Sequence, residues 1–351
     1  MKIIQIVGAR PQFVKLGPLS RAIRAAGHEE KIIHSGQHYD IQMNDVFFRD
    51  LEIPAPDFCL NVGSGSQAVQ TAEILSGIEA VLIAENPDLV IVYGDTNTTL
   101  AGALAAAKLH MKTVHVEACL RSFNRTMPEE INRIVADHIC DVLLAPTLKA
   151  VANASAEGLT DKCHLVGDIM VDSLAFGIRK AHNQSKIVDE LSLEGADYAV
   201  LTLHRPYNVD DPQNLFHILS GLDALGRKIV FPVHPRTRNV IAKMPQSSFD
   251  NIIYIEPLAY LDFLMLMDNS AMILSDSGGI QKEAYILQKP CVTLRSETEW
   301  VETVESGWNL LLDPSSPSFP GAIASFKVPD NHPDIFGKDV AQVILQVIEQ
   351  A

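Results

Sequence analysis

The sequence contains no long apolar run and is short of positive charge. Its longest apolar stretches, such as Ala101–Ala107, fall far short of the roughly 20 residues that a membrane-spanning helix needs. Lysine and arginine number 28 against 43 aspartates and glutamates, which gives a net charge of −15. A broad surface for nucleic acid or for an anionic membrane is therefore disfavoured. We expect neither partner, and we expect a local group of cations or helix N-termini to bind any anionic ligand.

Cysteine pairs at metal-binding or redox spacing are also absent. The five cysteines are an odd number, are widely scattered and form no CxxC motif: Cys59, Cys119, Cys140, Cys163 and Cys291. This pattern is typical of a reduced, cytoplasmic protein without a structural zinc site. One short apolar run precedes Gly8 and Arg10, which predicts a first strand and not a signal peptide.

The apolar residues that are present suffice for two domains. The chain has 351 residues, 47% of them hydrophobic, and a domain takes roughly 150 residues. Short, unalternating runs rich in β-branched residues predict parallel strands buried on both faces, with helical patterns between them. In the first half the predicted strands are Ile3–Val7, Leu89–Tyr93, Thr113–Val116 and Val142–Ala145, and the predicted helices are Phe13–Ala26, Ala68–Ala84, Leu100–Leu109 and Pro128–Ile139.

The same alternation restarts at Tyr198–Leu203 and predicts a second sheet. Its further strands are Ile229–Val233, Ile252–Ile255, Met272–Ser275 and Cys291–Leu294, with helices at about 212–225, 259–268 and 278–286. The predicted fold class is α/β, with two Rossmann-like doubly wound domains. We place the join after Asp168, which gives domains 1–168 and 169–337 and a final amphipathic helix, Lys338–Glu349. Because ligands bind beyond the carboxyl ends of such strands, we expect one site in a cleft between the domains.

Unusual polar strings follow the strands of the first half. The string GARPQ, which contains Gly8 and Arg10, runs into a helix that carries Lys15. It can bind an anion or form an ordinary strand–helix turn, and it matches neither a dinucleotide fingerprint nor a P-loop. The string GQHYD follows the next strand, and a catalytic role for its His38 is disfavoured, since a lone histidine in a turn is more often a capping or packing residue.

Acidic residues end the two following strands and open the next helix. Asp95 and Glu117 each follow an apolar strand, and Glu129 and Glu130 lie in the first predicted turn of a helix. An acid after a buried strand is costly unless it lies in a cleft or has a partner, and two such acids on adjacent strands repel each other. One glutamate suffices to stabilise the helix start. Carboxylates gathered at one end of a sheet favour proton transfer over anion binding.

Cationic and glycine-rich strings follow the strands of the second half. Two of them, HR at His204 and HPRTR at His234, join an imidazole to a guanidinium. The imidazole can act as an acid or base near neutral pH, and the guanidinium can clamp a diphosphate. The string SGGIQKE, Ser277 to Glu283, opens a helix whose N–H groups can cradle a phosphate. Glu283 is placed to accept hydrogen bonds from ribose hydroxyls, although the same string can also form a turn without a ligand.

Together these strings resemble the non-hydrolysing UDP-N-acetylglucosamine 2-epimerases. The match covers almost the whole chain, and the strings occur in the family's order and at about its spacing: GARPQ…K, GQHYD, YGDTNTTLAG, VHVEA-LRS, MPEEINR, HR…N, HPRTR and SDSGGIQKEA. The resemblance implies two Rossmann-like domains in the glycosyltransferase-B arrangement. It also implies that the active site lies in the interdomain cleft and that a C-terminal helix, 338–351, crosses back to the first domain.

The resemblance further implies inversion at C2 of a UDP-2-acetamido sugar without a cofactor or a metal. UDP leaves C1, the C2 proton is lost, and UDP re-adds to 2-acetamidoglucal, so that UDP-N-acetylglucosamine and UDP-N-acetylmannosamine interconvert. By motif, the acid/base residues are Asp95, Glu117, Glu129 and His204. The residues implied in binding the UDP-sugar come from both halves: Arg10, Lys15, His234, Arg236, Ser277, Gly278, Gly279 and Glu283. We expect a homodimer that serves cell-surface polysaccharide synthesis.

The chain departs from the family at two places. The family commonly has glycine where this chain has Cys119, and a small packed residue explains that cysteine better than a nucleophile does. Many bacterial members continue Arg-Glu-Asn after the first His-Arg, whereas Pro206-Tyr207-Asn208 stands here. The second UDP-sugar that activates those members is therefore not carried over to this chain.

One other substrate and three other functions are alternatives to this reaction. The strings LRSFNRTMPEEINR and TEWVE are more similar to the branch that acts on UDP-2,3-diacetamido-2,3-dideoxyglucuronate. A glycosyltransferase of the same fold needs one base and room for an acceptor, so the several acids disfavour it. A non-catalytic UDP-sugar-binding protein does not need acids at both faces of the sugar. The hydrolysing 2-epimerases, which share much of the pattern, usually lack the GARPQ string.

Overall fold

Two parallel β-sheets with intervening helices make up the described part of the chain. The computed structural model describes residues 1–37, 52–244 and 249–350. The chain divides into unit 1, which comprises Met1–Phe176 and Ile335–Ala351, and unit 2, which comprises Gly177–Asp334. The predicted α/β class with two Rossmann-like doubly wound sheets is confirmed.

The elements alternate between strand and helix along both units. The strands are β1 (Lys2–Val7), β2 (Glu29–His34), β3 (Phe58–Cys59), β4 (Leu89–Tyr93), β5 (Thr113–Val116), β6 (Val142–Ala145), β7 (Cys163–Leu165), β8 (Tyr198–Thr202), β9 (Lys228–Pro232), β10 (Ile252–Ile255), β11 (Met272–Ser275), β12 (Cys291–Leu294) and β13 (Asn309–Leu312). The helices of the described residues are α1 (Arg10–Ala25), α2 (Gln67–Glu85), α3 (Asn97–Lys108), α4 (Pro128–Ile139), α5 (Leu148–Ala156), α6 (Met170–Gln184), α7 (Ile187–Glu190), α8 (Pro206–Val209), α9 (Pro212–Asp223), α10 (Pro235–Ile241), α11 (Tyr260–Asp268), α12 (Gly278–Ile286), α13 (Val301–Glu305), α14 (Phe319–Ser325) and α15 (Val340–Gln350). A 3₁₀ turn, Thr160–Lys162, precedes β7.

The two sheets share one strand order over six strands, and the sheet of unit 1 has a seventh strand, β7, at its edge. Unit 1 runs β3-β2-β1-β4-β5-β6-β7 and unit 2 runs β10-β9-β8-β11-β12-β13, with parallel pairing throughout. In each unit the order reverses beside the first strand, between β1 and β4 and between β8 and β11. In doubly wound sheets this reversal is where ligands bind, beyond the carboxyl ends of the strands.

The interior strands are apolar because helices cover both faces of such sheets. All five residues of β4 and all four of β5 are buried. The register pairs Val92 with His115 and Tyr93 with Val116, so β4 and β5 end side by side. The chain therefore delivers Asp95 and Glu117 to one edge of the unit 1 sheet.

The segment 335–351 belongs to unit 1, where α15 packs against α1. Asp172 accepts hydrogen bonds from the backbone N–H groups of Val340 (3.2 Å) and Ala341 (2.6 Å), and this caps α15. A side chain at Gly167 would lie 2.5 Å from the carbonyl oxygen of Phe336, so only glycine permits this close approach. Among residues 1–37, 52–244 and 249–350, no helix combines the length and apolarity that crossing a membrane requires.

Candidate active site

The start of α1 is tied to the end of β4 by Gln12. Its side-chain oxygen accepts from the N–H groups of Gly8 (2.7 Å) and Ala9 (3.1 Å), and its amide nitrogen donates to the carbonyl of Tyr93 (2.7 Å). A Cβ at Gly8 would overlap the hydroxyls of Thr98 and Ser35. Glycine is therefore needed at position 8 because these two hydroxyls leave no room for a side chain.

Lys15 and Glu117 form an ion pair at the same edge. Lys15 lies on α1, and both side chains are about nine-tenths buried, with 9% and 11% of their surfaces exposed. A Cβ at Gly94 would lie 3.4 Å from Glu117 Oε2 and 3.5 Å from Lys15 Nζ, and Gly94 has a positive φ of 61°. The pair therefore sits directly over the turn that leads to Asp95.

Asp95 has a cation of its own, Arg133 of α4. The Arg133 Nε and Nη2 groups donate to Asp95 Oδ2 at 3.0 and 2.7 Å, and its Nη1 donates to Glu130 at 2.6 Å. Asn132 donates to the Asp95 carbonyl at 2.9 Å. The sequence predicts repulsion between Asp95 and Glu117, whereas the structure gives each carboxylate a separate positive partner.

The two glutamates at the start of α4 differ in their surroundings. Glu130 is 1% exposed and accepts from the N–H groups of Ser122 and Phe123 (2.9 Å each), from the Ser122 hydroxyl and from Arg133. Burial alone would raise the pKa of Glu130, but these donors hold it below the usual value. Glu129 is half-buried and makes no hydrogen bond or ion pair with the rest of the described chain. Glu130 thus anchors the preceding loop, and Glu129 is the one available to a ligand.

Arg10, His38 and Cys119 are also singled out in the sequence. Arg10 begins α1, but its side chain is outside what the structure describes, and His38 lies outside the described residues. Cys119 is fully buried with a positive φ of 66°. A hydrogen bond with the Cys163 thiol, together with burial, raises the pKa of the Cys119 thiol far above its usual value. The thiol stays protonated and is a poor nucleophile.

In unit 2, His204 and Asp276 form a dyad. His204 Nδ1 lies 2.9 Å from Asp276 Oδ1, and Asp276 also accepts from the N–H groups of His204 and Arg205 and from the side-chain amide of Asn208, at 3.0–3.1 Å. Burial alone would raise the pKa of Asp276, but the bonds from His204, Asn208 and Arg205 lower it below its usual value. The carboxylate therefore fixes the orientation of the imidazole through Nδ1.

The N-terminus of α12 carries Ser277, Gly278 and Gly279. Ser277 is the N-cap residue, and its side chain does not cap the helix, while its N–H donates to Ser275 Oγ at 3.0 Å. A Cβ at Gly278 would overlap Glu299 Oε1, and Glu299 also accepts from Arg295 at 2.9 Å. A carboxylate therefore occupies the helix end at which an anionic ligand is expected.

The remaining candidates of unit 2 lie on α10 and α12. Glu283 is 9% exposed on α12, and the neighbouring Lys282 ammonium stands 4.2 Å from the centroid of the Trp300 ring. His234 is the N-cap of α10 and accepts from the Arg236 N–H at 3.3 Å. Arg236 is exposed and donates to both oxygens of Asp210, at 2.8 and 2.7 Å. The structure thus gives His234 a capping role and Arg236 an acidic partner.

Sequence reasoning missed several residues of these networks. Asp276 directly follows β11, so the rule that singled out Asp95 applies to it equally. Arg133 lies three residues after Glu130, a spacing at which helical side chains meet. Of the residues that the structure describes, no group of three or more His, Cys, Asp and Glu side chains could hold a metal ion.

Comparisons with known proteins point to one family. A sequence model of the UDP-N-acetylglucosamine 2-epimerases matches residues 21–348. The chain is 51% identical over 317 residues to a UDP-N-acetylglucosamine 2-epimerase homolog of Methanococcus maripaludis, covering 89% of this chain and 88% of that protein. It is 45% identical over 320 residues to the UDP-2,3-diacetamido-2,3-dideoxy-D-glucuronate 2-epimerase of Pseudomonas aeruginosa, covering 89% and 88%.

A solved structure is similar over the full length. The crystal structure of the Methanocaldococcus jannaschii UDP-GlcNAc 2-epimerase, in complex with UDP-GlcNAc and UDP, matches with a TM-score of 0.86. The two chains are 41% identical, and the match covers 100% of each.

Proposed function

Since the chain belongs to the UDP-N-acetylglucosamine 2-epimerase family, whose members are isomerases, we propose that it inverts C2 of UDP-N-acetylglucosamine without hydrolysis, giving UDP-N-acetylmannosamine. One observation carries the proposal: Asp95 and Glu117 follow adjacent strands, and each is paired with its own cation. The complex of the M. jannaschii relative with UDP-GlcNAc and UDP supports this substrate.

The order of bond breaking follows from the chemistry of the sugar. A ring C–H is a poor acid until positive charge develops at C1, so the bond from C1 to the UDP oxygen breaks first, and its electron pair leaves with UDP. The C2 proton then passes to a base, and its electron pair forms the C1–C2 double bond of 2-acetamidoglucal. Protonation of C2 from the opposite face and attack of the UDP oxygen on C1 complete the inversion. Acid/base groups are needed on both faces of C2.

Unit 2 supplies groups suited to UDP and its departure. The first N–H groups of α12, at Gly278 and Gly279, and the Ser277 hydroxyl would bind the diphosphate. Glu283 would accept hydrogen bonds from the ribose hydroxyls. The His204 imidazole, held by Asp276, would transfer a proton or stabilise charge as UDP leaves.

Unit 1 supplies the groups suited to the C2 proton. Glu117 and Asp95 are proposed as acid/base groups on the sugar, with Glu129 as a third. Lys15 and Arg133 hold the first two in fixed positions. Fixed charges of this kind stabilise a transition state without reorganisation during the reaction.

The test is incubation with UDP-N-acetylglucosamine in heavy water, followed by NMR of the products. We expect deuterium at C2 of both UDP-N-acetylglucosamine and UDP-N-acetylmannosamine, because C2 must lose its proton before it is inverted. Release of free N-acetylmannosamine with UDP would instead identify a hydrolysing enzyme. Recovery of the substrate without deuterium and without a second epimer would contradict the proposal.

A second candidate substrate is UDP-2,3-diacetamido-2,3-dideoxyglucuronate. It is favoured by the strings LRSFNRTMPEEINR and TEWVE and by the 45% identity to the P. aeruginosa enzyme named for that sugar. The same C2 exchange assay with both UDP-sugars, compared by kcat/KM, decides between them. The reaction and the proposed roles of the residues are the same for either substrate.

A further inference from the structure

His115 is a polar side chain buried in the interior of the unit 1 sheet. It lies on β5 and is 0% exposed. Its Nε2 stands 2.6 Å from the carbonyl oxygen of Gly94, and its Nδ1 stands 2.7 Å from Asp137 Oδ1. A buried polar ring needs a partner at each nitrogen, and both partners here are oxygens.

The hydrogen-bond network holds both nitrogens of this ring. A carbonyl oxygen only accepts, so Nε2 donates to Gly94. Asp137 accepts from Arg121 at 2.6 Å and from the Cys119 N–H at 3.1 Å through its other oxygen. Burial alone would raise the pKa of Asp137, but the bonds and charges of His115 and Arg121 lower it below its usual value. Asp137 thus joins the ring at Nδ1 to the backbone of Cys119.

The two contacts of this ring lead to the two candidate acids. The contact of His115 Nε2 with the Gly94 carbonyl fixes the peptide between Gly94 and Asp95, where Gly94 has a φ of 61°. On the other side, Asp137 holds the N–H of Cys119 and so fixes the turn Glu117–Cys119. Glu117 and Cys119 have positive φ values of 64° and 66°. Such backbone is costly and persists only where the surroundings enforce it.

We propose that His115 is a positioning residue, which holds the Gly94–Asp95 peptide through one nitrogen and the Glu117–Cys119 turn through the other. One side chain thereby sets the separation of Asp95 and Glu117. The inference rests on the proposed function, since it concerns the geometry of the C2 proton transfer.

Two substitutions separate the two contacts. The amide of His115→Asn can replace Nδ1 at Asp137 but cannot reach the Gly94 carbonyl, and the amide of His115→Gln can replace Nε2 at Gly94. Thr113→Val is the matched control, because Thr113 is equally buried on β5 and its hydroxyl donates to the Met111 carbonyl, at 3.0 Å, away from both acids. We expect both histidine variants to lower kcat by about 10²-fold, the loss that a displacement of about 1 Å can cause. KM, UDP affinity and the control should stay within about threefold of wild type.

Two results would overturn the proposal on the activity side. Wild-type kcat in either folded histidine variant would show that its lost contact does not position the acids. Loss of the folded state in both variants, measured by circular dichroism, would make His115 a residue of folding and not of positioning.

A readout independent of activity is the ¹⁵N NMR spectrum of the histidine rings in the wild-type protein. We expect Nε2 of His115 to carry a proton, because it faces the Gly94 carbonyl oxygen, and a ring without a proton on Nε2 would overturn the proposal. This readout separates the two ideas: wild-type protein that lacks C2 exchange refutes the proposed function, whereas an unprotonated Nε2 in an active enzyme refutes the positioning role alone.

Discussion

The two units differ in the exposure of several charged residues, although six strands of each sheet follow the same order. In unit 1, Lys15 and Glu117 pair at the carboxyl edge and are 9% and 11% exposed. In unit 2, His204 is 52% exposed and Arg236 is 62% exposed, whereas Asp276 and Glu283 are buried. Lys15 and Glu117 thus fix each other before a ligand binds, whereas Asp276 holds His204 from one side and leaves its ring open to solvent.

The two units also differ in where their non-glycine residues with positive φ lie. At the edge of unit 1, the non-glycine residues Glu117, Cys119 and Phe123 have positive φ values. In the described part of unit 2, such residues are Ser192 and Gln288, which follow the ends of α7 and α12, where left-handed residues commonly stop helices. Three of the eight such residues in the described part of unit 1 thus lie at the candidate site, whereas neither of the two in the described part of unit 2 does.

The largest expected effect is on kcat, when either of the two paired acids of unit 1 is replaced. Glu117→Gln and Asp95→Asn should each lower kcat by a factor on the order of 10² or more, because each removes a proposed proton-transfer group. UDP affinity, measured by calorimetry, should change much less, since unit 2 is proposed to hold the nucleotide. Asp88→Asn is a control at the opposite end of β4, where Asp88 accepts from the Lys2 N–H at 2.7 Å. A wild-type kcat in a folded Glu117→Gln variant would show that the Glu117 carboxylate is not needed for turnover.

The second-largest effect on kcat is expected at the dyad of unit 2, His204 and Asp276. His204→Asn should lower kcat on the order of 10²-fold, and Asp276→Asn about tenfold, since the second change keeps the imidazole and loses its orientation. Steady-state kinetics measure both. Asp210→Asn, which removes an exposed partner of Arg236, serves as the control. Equal kcat values for Asp276→Asn and wild type would show that turnover does not depend on the contact between Asp276 and His204.

A third prediction concerns stability and pH. Glu130→Gln should reduce the free energy of unfolding by about 1–3 kcal/mol at pH 7, because a carboxylate that accepts from several donors is lost. The pKa of Glu130 is lowered by folding, so its contribution is full above the unfolded-state pKa and disappears as the pH falls through the folded-state pKa. The difference between variant and wild type should therefore shrink below about pH 4 in urea unfolding. Glu129→Gln, a change at the half-buried neighbour, should leave the free energy of unfolding close to the wild-type value both at pH 7 and below about pH 4.

A smaller effect is expected on UDP binding. Glu299→Gln should tighten the binding of UDP by a few fold, because it removes a negative charge from Gly278 at the N-terminus of α12. Calorimetry with UDP measures this change, and Glu297→Gln, at an exposed position of the same loop, is the control. Weaker binding in the Glu299 variant would mean that its carboxylate supports the nucleotide and does not compete with it.

The smallest effect is expected at Cys119. Cys119→Gly should leave kcat within about threefold of wild type, or roughly 0.6 kcal/mol, because the φ of 66° suits glycine and the thiol stays protonated. A loss of a hundredfold in a folded variant that still binds UDP would give the thiol a chemical role. If Glu117→Gln were fully active at the same time, the assignment of the chemistry to the carboxylates would be wrong.

Local pattern was sufficient to predict most of the elements. Leu89–Tyr93, Thr113–Val116 and Pro128–Ile139 begin and end where the sequence predicts, since apolar β-branched runs and a proline at a helix start are strong local signals. Helix α1 begins at Arg10, three residues before the predicted Phe13, because the Gln12 side chain binds the N–H groups of Gly8 and Ala9. The final helix begins at Val340 and not at Lys338.

The partners in the site depend on contacts that local pattern does not contain. The sequence singles out Asp95 and Glu117 as acids after strands, but Arg133 lies 38 residues beyond Asp95 and Lys15 lies 102 residues before Glu117. Likewise, Glu130 and not Glu129 is buried because the N–H groups of Ser122 and Phe123, the Ser122 hydroxyl and Arg133 donate to its carboxylate. Such pairings arise from the packing of whole elements.

Unit 1 is built from two pieces of chain, and the whole of unit 2 lies between them in the sequence. During synthesis the ribosome completes residues 1–176 and then all of unit 2 before it reaches α15, which packs against α1. Domains generally fold as units, with the N-terminal domain first. Here the earlier-made unit still exposes the α1 surface that α15 will cover, while unit 2 is already complete in sequence. Unit 1 can therefore complete its packing only after the whole of unit 2 has been synthesised.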